Sequence, residues 1–182
     1  MIQIRQSVFE TNSSSSHSIV VQNKSEQLYQ LANREIHSDF ASYDGSTLIL
    51  SRENYFGWVW NVLTNWLDRF AYAIASFSGD DETIERIISH VKDRLGCEIV
   101  IGTHTPWWAD SKTFTEPDYG SIDHQSSNVL IHTLCEEGID PIDFIFDDRY
   151  IVIIDNDNNY PDTHDEFVSK LDIKKEYNAW ED

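Results

Sequence analysis

Two aspartates follow the most apolar short segment of the sequence and are its first candidates for chemistry. The run Tyr150–Ile154 predicts a hydrophobic strand, and Asp155 and Asp157 come directly after it with one residue between them. Carboxylates at a strand end can bind a divalent cation through their oxygens, and a carboxylate can also act as a nucleophile. The simpler interpretation is a junction between a strand and a turn, where Asn and Asp suit the local backbone.

The same segment resembles two metal-dependent motifs without completing either. The nucleophile strand of haloacid-dehalogenase-type phosphatases lies near the start of that fold, whereas only 25 residues follow Asp157 here. A calcium loop counted from Asp155 has Glu166 at position 12, but Tyr160 occupies position 6, where the loop needs glycine.

The histidines and serines do not complete a catalytic site at the level of sequence. His17 follows Ser13–Ser16 and invites a nucleophile–base pair, but a hydrolase also needs an orienting acid and an oxyanion site. The sequence contains no Gly-x-Ser-x-Gly elbow, Gly-rich phosphate loop, or Walker, Rossmann or kinase signature. We therefore expect neither enzymatic activity nor a cofactor. The alternative is a metal-dependent enzyme or metal-binding protein that uses Asp155 and Asp157 with His17 or His124.

Net charge is the strongest functional signal in the composition. The 182 residues include 32 acidic and 13 basic side chains, for a net charge of −19. Residues 129–182 carry 15 of the acids and 4 of the bases, which makes the C-terminal third strongly acidic. Direct binding of DNA is disfavoured, because phosphate contacts need clustered Lys and Arg. An acidic surface attracts basic proteins instead, although the charge can also serve solubility alone.

Acids of the C-terminal third form the predicted partner-binding surface. Carboxylates placed where phosphates would lie can pair with the arginines of a basic channel. Trp107 and Trp108 follow a proline in a polar segment, where an exposed aromatic side chain can serve as a contact. The predicted binding residues are these two tryptophans together with Asp140, Asp143, Asp147, Asp148, Asp155, Asp157, Asp162, Asp165 and Glu166.

The elements that must position these residues are interspersed without a regular strand–helix repeat. Apolar spacing and capping residues predict helices over 26–34, 57–77, 80–95, 128–137 and 161–171, and a short helix from Asp140-Pro141. Runs of β-branched residues predict strands over 18–22, 47–50, 98–101 and 150–154, of which the strand over 98–101 is expected to be buried. Residues 102–123 predict a long loop, and 177–182 predict a frayed end. The mixture predicts one α+β domain over 1–182, with a mixed or antiparallel sheet packed with several helices.

Other features of the sequence predict a cytoplasmic protein. No apolar run approaches the roughly 18 residues of a membrane helix, and the opening residues lack the apolar region of a secretory signal. Cys97 and Cys135 are solitary and far apart, so no disulfide framework is indicated.

Three short segments resemble a group of small phage and prophage proteins. They are VFETNSSSSHS at Val8–Ser18, Gly120–Ser126 and Ile154–Asn158, which are spread along most of the chain but cover a small part of it. Some members of that group are similar to anti-CRISPR proteins, which inhibit the RNA-guided DNA nuclease of type II systems. The resemblance implies a phage or mobile-element origin and a host defence complex as the target.

Charge and resemblance together predict a phage-type inhibitor without enzymatic activity. Its partner would be a basic protein or ribonucleoprotein, in the sharpest form a type II RNA-guided nuclease with its guide RNA, in the cytoplasm of the host. Binding would block DNA engagement or cleavage, with no direct DNA or membrane binding. A third interpretation is a phage structural or regulatory protein whose charge serves solubility only and which forms no stable complex with a nuclease.

Overall fold

Strands and helices alternate irregularly along the chain, which confirms the predicted α+β class. The computed structural model describes residues 15–23, 36–51, 54–57, 60–105, 115–122, 129–156 and 161–178. In chain order the strands are β1 (Ser15–Gln22), β2 (Ile36–His37), β3 (Ala41–Tyr43), β4 (Thr47–Leu50), β5 (Tyr55–Phe56), β6 (Asn61–Leu63), β7 (Glu98–Ile101), β8 (Thr103–His104), β9 (Glu116–Pro117), β10 (Ser121–Ile122), β11 (Tyr150–Asn156) and β12 (Ile173–Asn178). The helices are α1 (Trp66–Ser76), α2 (Asp81–Leu95), α3 (Val129–Glu136), α4 (Pro141–Phe146) and α5 (Pro161–Val168).

Strands from both ends of the described chain form the central sheet, in the order β12-β1-β11-β6. β1 lies between β11 and β12 and is antiparallel to both. Side chains alternate along β1, so Ile19 and Val21 pack with α1, whereas Val20 packs in a separate cluster with Phe167 of α5. Both faces of the central sheet are therefore covered, one by α1 and the other by α5.

The outer sheet has the order β2-β3-β4-β7 and pairs β4 with β7 in parallel. A parallel pair needs a long crossover connection, which here contains α1 and α2. Leu48 and Leu50 of β4 point into the core, and alternation turns Ile49 to the opposite face. Two further pairs of short strands, β5 with β10 and β8 with β9, complete the described sheets.

Helix α1 is shorter than the apolar spacing predicts. Its N-cap is Asn65, whose Oδ1 accepts a hydrogen bond from the Asp68 backbone N–H at 2.9 Å. Residues 61–63 form β6 instead and pair with β11. The prediction of one helix over 57–77 was wrong in its first half, because apolar residues on a short paired strand imitate helical spacing over so few positions.

Capping residues and apolar spacing predicted the remaining described helices correctly. Asp80 caps α2, and Gly96 ends it with a left-handed φ of 62°. The predicted helices near 128–137 and 161–171 correspond to α3 and α5, and Asp140 caps α4 as expected. No helix in the described part of the chain has the length and apolarity needed to cross a membrane.

Four other predictions need correction or lie beyond the described chain. Residues 177–178 belong to β12 rather than to a frayed end, and residues 102–123 include β8, β9 and β10. β7 is a strand as predicted, but Glu98 and Val100 are exposed, so it is not buried. The predicted helix over 26–34 lies outside the described residues.

A buried arginine fastens α1 to α4 and β11. Arg69 is 1 % exposed, and its Nε donates to the carbonyl oxygens of Phe144 at 3.0 Å and Ile145 at 3.1 Å. Its Nη1 donates to Thr64 O at 2.7 Å and Tyr150 O at 3.0 Å. The guanidinium thus satisfies carbonyls at the end of α4 and the start of β11, which otherwise lack partners in the helix and sheet ladders.

Candidate partner-binding surface

The predicted acidic surface of the C-terminal third divides into two groups. α4 and the turn after it carry four of the carboxylates, and α4 packs with α1 on one side of the central sheet. α5 carries Asp165 and Glu166 and covers the opposite face through Phe167 and Val168. The carboxylates that the sequence suggested as one surface therefore lie on two sides of the molecule.

Asp140 has a structural role at the start of α4. Its Oδ1 accepts from the Ile142 N–H at 2.8 Å, and its Oδ2 lies 2.9 Å from Arg86 Nη1 of α2. Partial burial would raise the pKa of Asp140, but these hydrogen bonds outweigh it and hold the pKa below the usual value. The carboxylate caps one helix and joins it to another, so much of its charge is compensated within the chain.

Asp147 is paired even more closely. Its Oδ1 accepts from the backbone N–H and from Nε of Arg149, both at 3.0 Å, and its Oδ2 bonds to Nη2 of the same guanidinium. Burial would raise the pKa of Asp147, but the bonds from Arg149 lower it overall. This two-pronged pair fixes the turn before β11. Of its neighbours, Asp148 is half-buried and Asp143 is exposed.

The second group is also partly neutralised. Lys170 Nζ lies 2.7 Å from the carboxylate of Glu166, one turn earlier in the chain, and the hydrogen bond lowers the pKa of Glu166. Asp165 is mostly exposed, with its Oδ1 3.4 Å from His164 Nδ1. Exposed pairs of this kind are screened by solvent, so they reduce the local charge without contributing much stability.

Several predicted contact residues lie outside the described chain. Trp107, Trp108 and Asp157 belong to this group, and His124 of the metal-binding alternative also lies outside the described chain. Asp155 lies in β11 opposite Ser16, one residue before its end, and Asp162 lies in α5, but their side chains are not among those described. Their assignment to a binding surface stays a prediction.

The first turns of α2 carry a further group of carboxylates, which the predicted binding surface did not include. Asp81, Glu82 and Glu85 are exposed, and no described residue forms an ion pair with any of them. We call these three residues the α2 acidic face. The half-buried Tyr119 lies close enough that, after burial itself, Asp81 and Glu85 contribute to the rise in its pKa.

A signal for this face was present in the sequence. The helix dipole explains acids in the first turn, but Glu85 lies beyond it and faces Asp81 and Glu82 at helical spacings of four and three residues. Like charges at those spacings destabilise a helix slightly. Their arrangement is therefore not explained by helix formation alone.

His17 and Ser18 cannot act together, because alternation along β1 sends their side chains to opposite faces of the sheet. His17 is buried on the α1 side, with Nδ1 3.0 Å from Tyr72 Oη. Ser18 faces α5, and its Oγ lies 3.0 Å from His164 Nε2, which is also 3.0 Å from Glu176 Oε1 of β12. The structure thus brings together a different serine and histidine from those that the sequence suggested.

Ser18 and His164 are residue types that hydrolases use as nucleophile and base, but a substrate has no access to this contact. Ser18 is 2 % exposed and lies on the strand at the middle of the sheet. A substrate carbonyl could not reach its Oγ without opening the packing of α5. The contact instead ties α5 and β12 to β1.

The metal-binding alternative gains no support from the described residues. Within the described ranges, no three His, Cys, Asp or Glu side chains converge closely enough to share an ion. His17 is buried in the core on the α1 side of the central sheet. Asp157 and His124 lie outside the residues that the structure describes. The metal site stays an untested prediction.

Comparisons with family models, with curated proteins and with solved structures found no match to this chain.

Proposed function

We propose that this protein is an inhibitor without enzymatic activity that binds a cationic partner through surface carboxylates. The observation that carries the proposal is the α2 acidic face, in which three exposed carboxylates have no ion-pair partner among the described residues. By contrast, Asp140, Asp147 and Glu166 have partners within the chain and offer less free charge. The proposed contact region therefore moves from the C-terminal third to α2.

The geometry of a helix suits this kind of recognition. Side chains three and four positions apart lie about 5–6 Å from one another, so one strip of arginines can engage several carboxylates at once. Arginine pairs with carboxylate through two parallel hydrogen bonds, as it does with phosphate. The inner face of α2 is anchored by the buried residues Ile84, Ile87 and Val91, which presents the acids on a rigid support.

The partner we propose is a basic nucleic-acid-handling protein or ribonucleoprotein. A net charge of −19 disfavours direct contact with DNA and favours a cationic channel. The resemblance of Val8–Ser18 to phage and prophage proteins directs the choice to a type II RNA-guided nuclease with its guide RNA, in the cytoplasm of a bacterial host. Such nucleases hold nucleic acid in a positively charged channel, which carboxylates can occupy.

The test measures binding to a purified type II nuclease–guide RNA complex and inhibition of its DNA cleavage. The variant Asp81→Asn/Glu82→Gln/Glu85→Gln is compared with Asp165→Asn/Glu166→Gln/Asp172→Asn, which removes the same charge from the α5 side. We expect the α2 variant to bind at least about tenfold more weakly, and the control to change less than about twofold. Binding of the wild type should weaken as salt rises.

Three results would count against the proposal. Equal losses in the two variants would show that total charge matters rather than the α2 acidic face. Unchanged inhibition by the α2 variant would remove that face as the contact surface. Absence of any complex between the wild type and the nuclease would remove the proposed target and favour the role in which the charge serves solubility only.

A further inference from the structure

Two exposed apolar side chains lie side by side on the outer sheet. Ile49 is 44 % exposed and Val100 is 47 % exposed, and the parallel register of β4 and β7 makes them direct partners. Among the large apolar side chains of the described residues, only Tyr55 is exposed to a similar extent. The pair is too small to define a contact surface by apolar area alone, so its neighbours decide what it can bind.

Carboxylates border this apolar pair at one end. The next outward row along the strands contains Thr47, with Glu98 as its partner on β7 and Asp44 beside it at the end of β3. Asp44 Oδ1 accepts from the Thr47 N–H at 2.7 Å and from the Ser46 N–H at 2.8 Å, which lowers its pKa and keeps it charged. Rows on one face of a strand are separated by about 7 Å.

The negative charge of Glu98 is only weakly compensated by a nearby cation. Lys92 Nζ lies 3.8 Å from Glu98, whose side chain is 82 % exposed. Both are exposed, so their attraction is largely screened. A ligand that covers the apolar pair would therefore meet negative charge two residues along the strand.

Among the described residues, β7 also has an open backbone edge. Within the described part of the chain, β4 is its hydrogen-bonded neighbour and no strand pairs on the other side. The Glu98 N–H donates to Ser46 O at 2.9 Å, so Glu98 and Val100 direct their backbone groups toward β4. The N–H and C=O groups of Ile99 and Ile101 therefore point to the open edge, as in sheets that accept a further strand.

We propose that the edge of β7 accepts an extended segment of the partner, with an apolar residue opposite Val100 and a Lys or Arg opposite Glu98. The apolar residue covers the Ile49–Val100 pair, and the basic residue pairs with the carboxylates of the next row. This contact rests on the proposed function, because it specifies which part of a cationic partner the protein binds. It adds main-chain hydrogen bonds and apolar contact to the charge attraction of the α2 acidic face.

The direct test uses a synthetic peptide of the sequence Lys-Val-Val-Val-Lys, blocked at both ends. As a strand it presents lysine, valine and lysine on one face and two valines on the other, whichever way it runs. Isotope-labelled full-length protein is titrated with the peptide and followed by NMR. We expect shifts and slower hydrogen exchange at the Ile99 and Ile101 amides. The peptides Glu-Val-Val-Val-Glu and Lys-Pro-Pro-Pro-Lys are the controls for charge and for strand pairing. Neither should bind, because prolines at the three central positions remove N–H groups that face β7 whichever way the peptide runs.

Matched variants locate the contact on the protein. Ile49→Ser/Val100→Ser should weaken binding of the lysine peptide about tenfold. Asp172→Asn, in the exposed turn between α5 and β12, should leave it unchanged. Since both outer-sheet side chains are exposed, the double variant should keep its fold, which thermal unfolding will check.

The outcomes separate this inference from the proposed function. Failure of the lysine peptide to bind, or equal binding by the double variant, overturns the β7 contact. Neither result alters the test of the α2 acidic face against the nuclease. Binding of the peptide with three central prolines would show attraction without strand pairing, and it also overturns the contact. Weaker binding of the nuclease complex by the Ile49→Ser/Val100→Ser variant would show that the partner itself uses the same edge.

Discussion

The two four-stranded sheets of this protein differ in how completely they are covered. The central sheet has α1 on one face and α5 on the other, and its strands β1 and β11 are buried. The outer sheet has a covered inner face and an outer face on which Ile49 and Val100 are exposed. The difference indicates that the central sheet holds the fold together and that the outer sheet is available for contact.

Polar groups differ between the two regions in the same way. Around the central sheet, Arg69 and His164 contact groups from other segments and join them, and Asp147 pairs with Arg149 in the turn before β11. On α2 and β7, acids such as Glu85 and Glu98 are exposed and weakly paired or unpaired within the described chain. Charge that is compensated within the chain serves stability, and charge left at the surface is free for a partner.

The largest expected effect comes from removing the buried guanidinium. Arg69→Met should lower the free energy of unfolding by about 3 kcal/mol or more, because it leaves several buried carbonyls without donors. Arg69→Lys should recover only part of the loss, since an ammonium cannot reproduce the planar fork. Urea unfolding followed by circular dichroism measures both. A loss below about 1 kcal/mol would contradict a structural role for the central-sheet contacts.

An intermediate effect is expected at Asp147. Asp147→Asn should cost about 1–2 kcal/mol at neutral pH, because the half-exposed pair with Arg149 is partly screened. The pKa of Asp147 is lowered in the folded state, so its contribution is present above the usual value of 3.8 and is lost as the pH falls through the lower folded value.

The measurement is the free energy of unfolding of wild type and variant between neutral and acidic pH. The difference should stay constant above about pH 5 and shrink toward zero in strong acid. Asp143→Asn is the matched control, because Asp143 is exposed at the surface of α4. A difference that persists unchanged in acid would exclude the ion pair as its cause.

The smallest effect is expected on the α2 acidic face. Glu85→Gln should raise the free energy of unfolding by about 0.2–0.5 kcal/mol, because it relieves repulsion from Asp81 and Glu82. The gain should disappear in high salt, which screens the repulsion. Thermal unfolding at two salt concentrations measures it. A clear loss of stability would show that Glu85 has a structural partner. The carboxylates of α2 would then be compensated within the chain, like those around the central sheet.

Elements with strong local signals could be predicted from the sequence. Asp80 and Gly96 frame α2, Asp140 and Pro141 begin α4, and the apolar run of β11 is continuous. β12 was not predicted, because Ile173–Asn178 is largely polar and forms a strand only by pairing with β1. A strand of this kind depends on its neighbour more than on its own residues.

The candidate site was less predictable than the fold. Chemistry at the sequence level pointed to Asp155, Asp157 and His17, whereas the described structure turns His17 inward against Tyr72. It also shows that Asp147 has a partner two residues away, which a helix-and-strand prediction does not reveal. Exposure of Ile49 and Val100 depends on the register of β4 and β7, which are separated by two helices in the chain.

Composition by itself determined that this protein carries a large negative charge, and local patterns determined its described helices and the strands β1, β4, β7 and β11. Tertiary structure decided which carboxylates keep that charge free. Arg86 reaches Asp140, and Lys175 reaches Glu137, across long stretches of sequence. The physical reason is that an ion pair depends on the distance between two side chains, and only folding brings residues that are far apart in the chain within that distance.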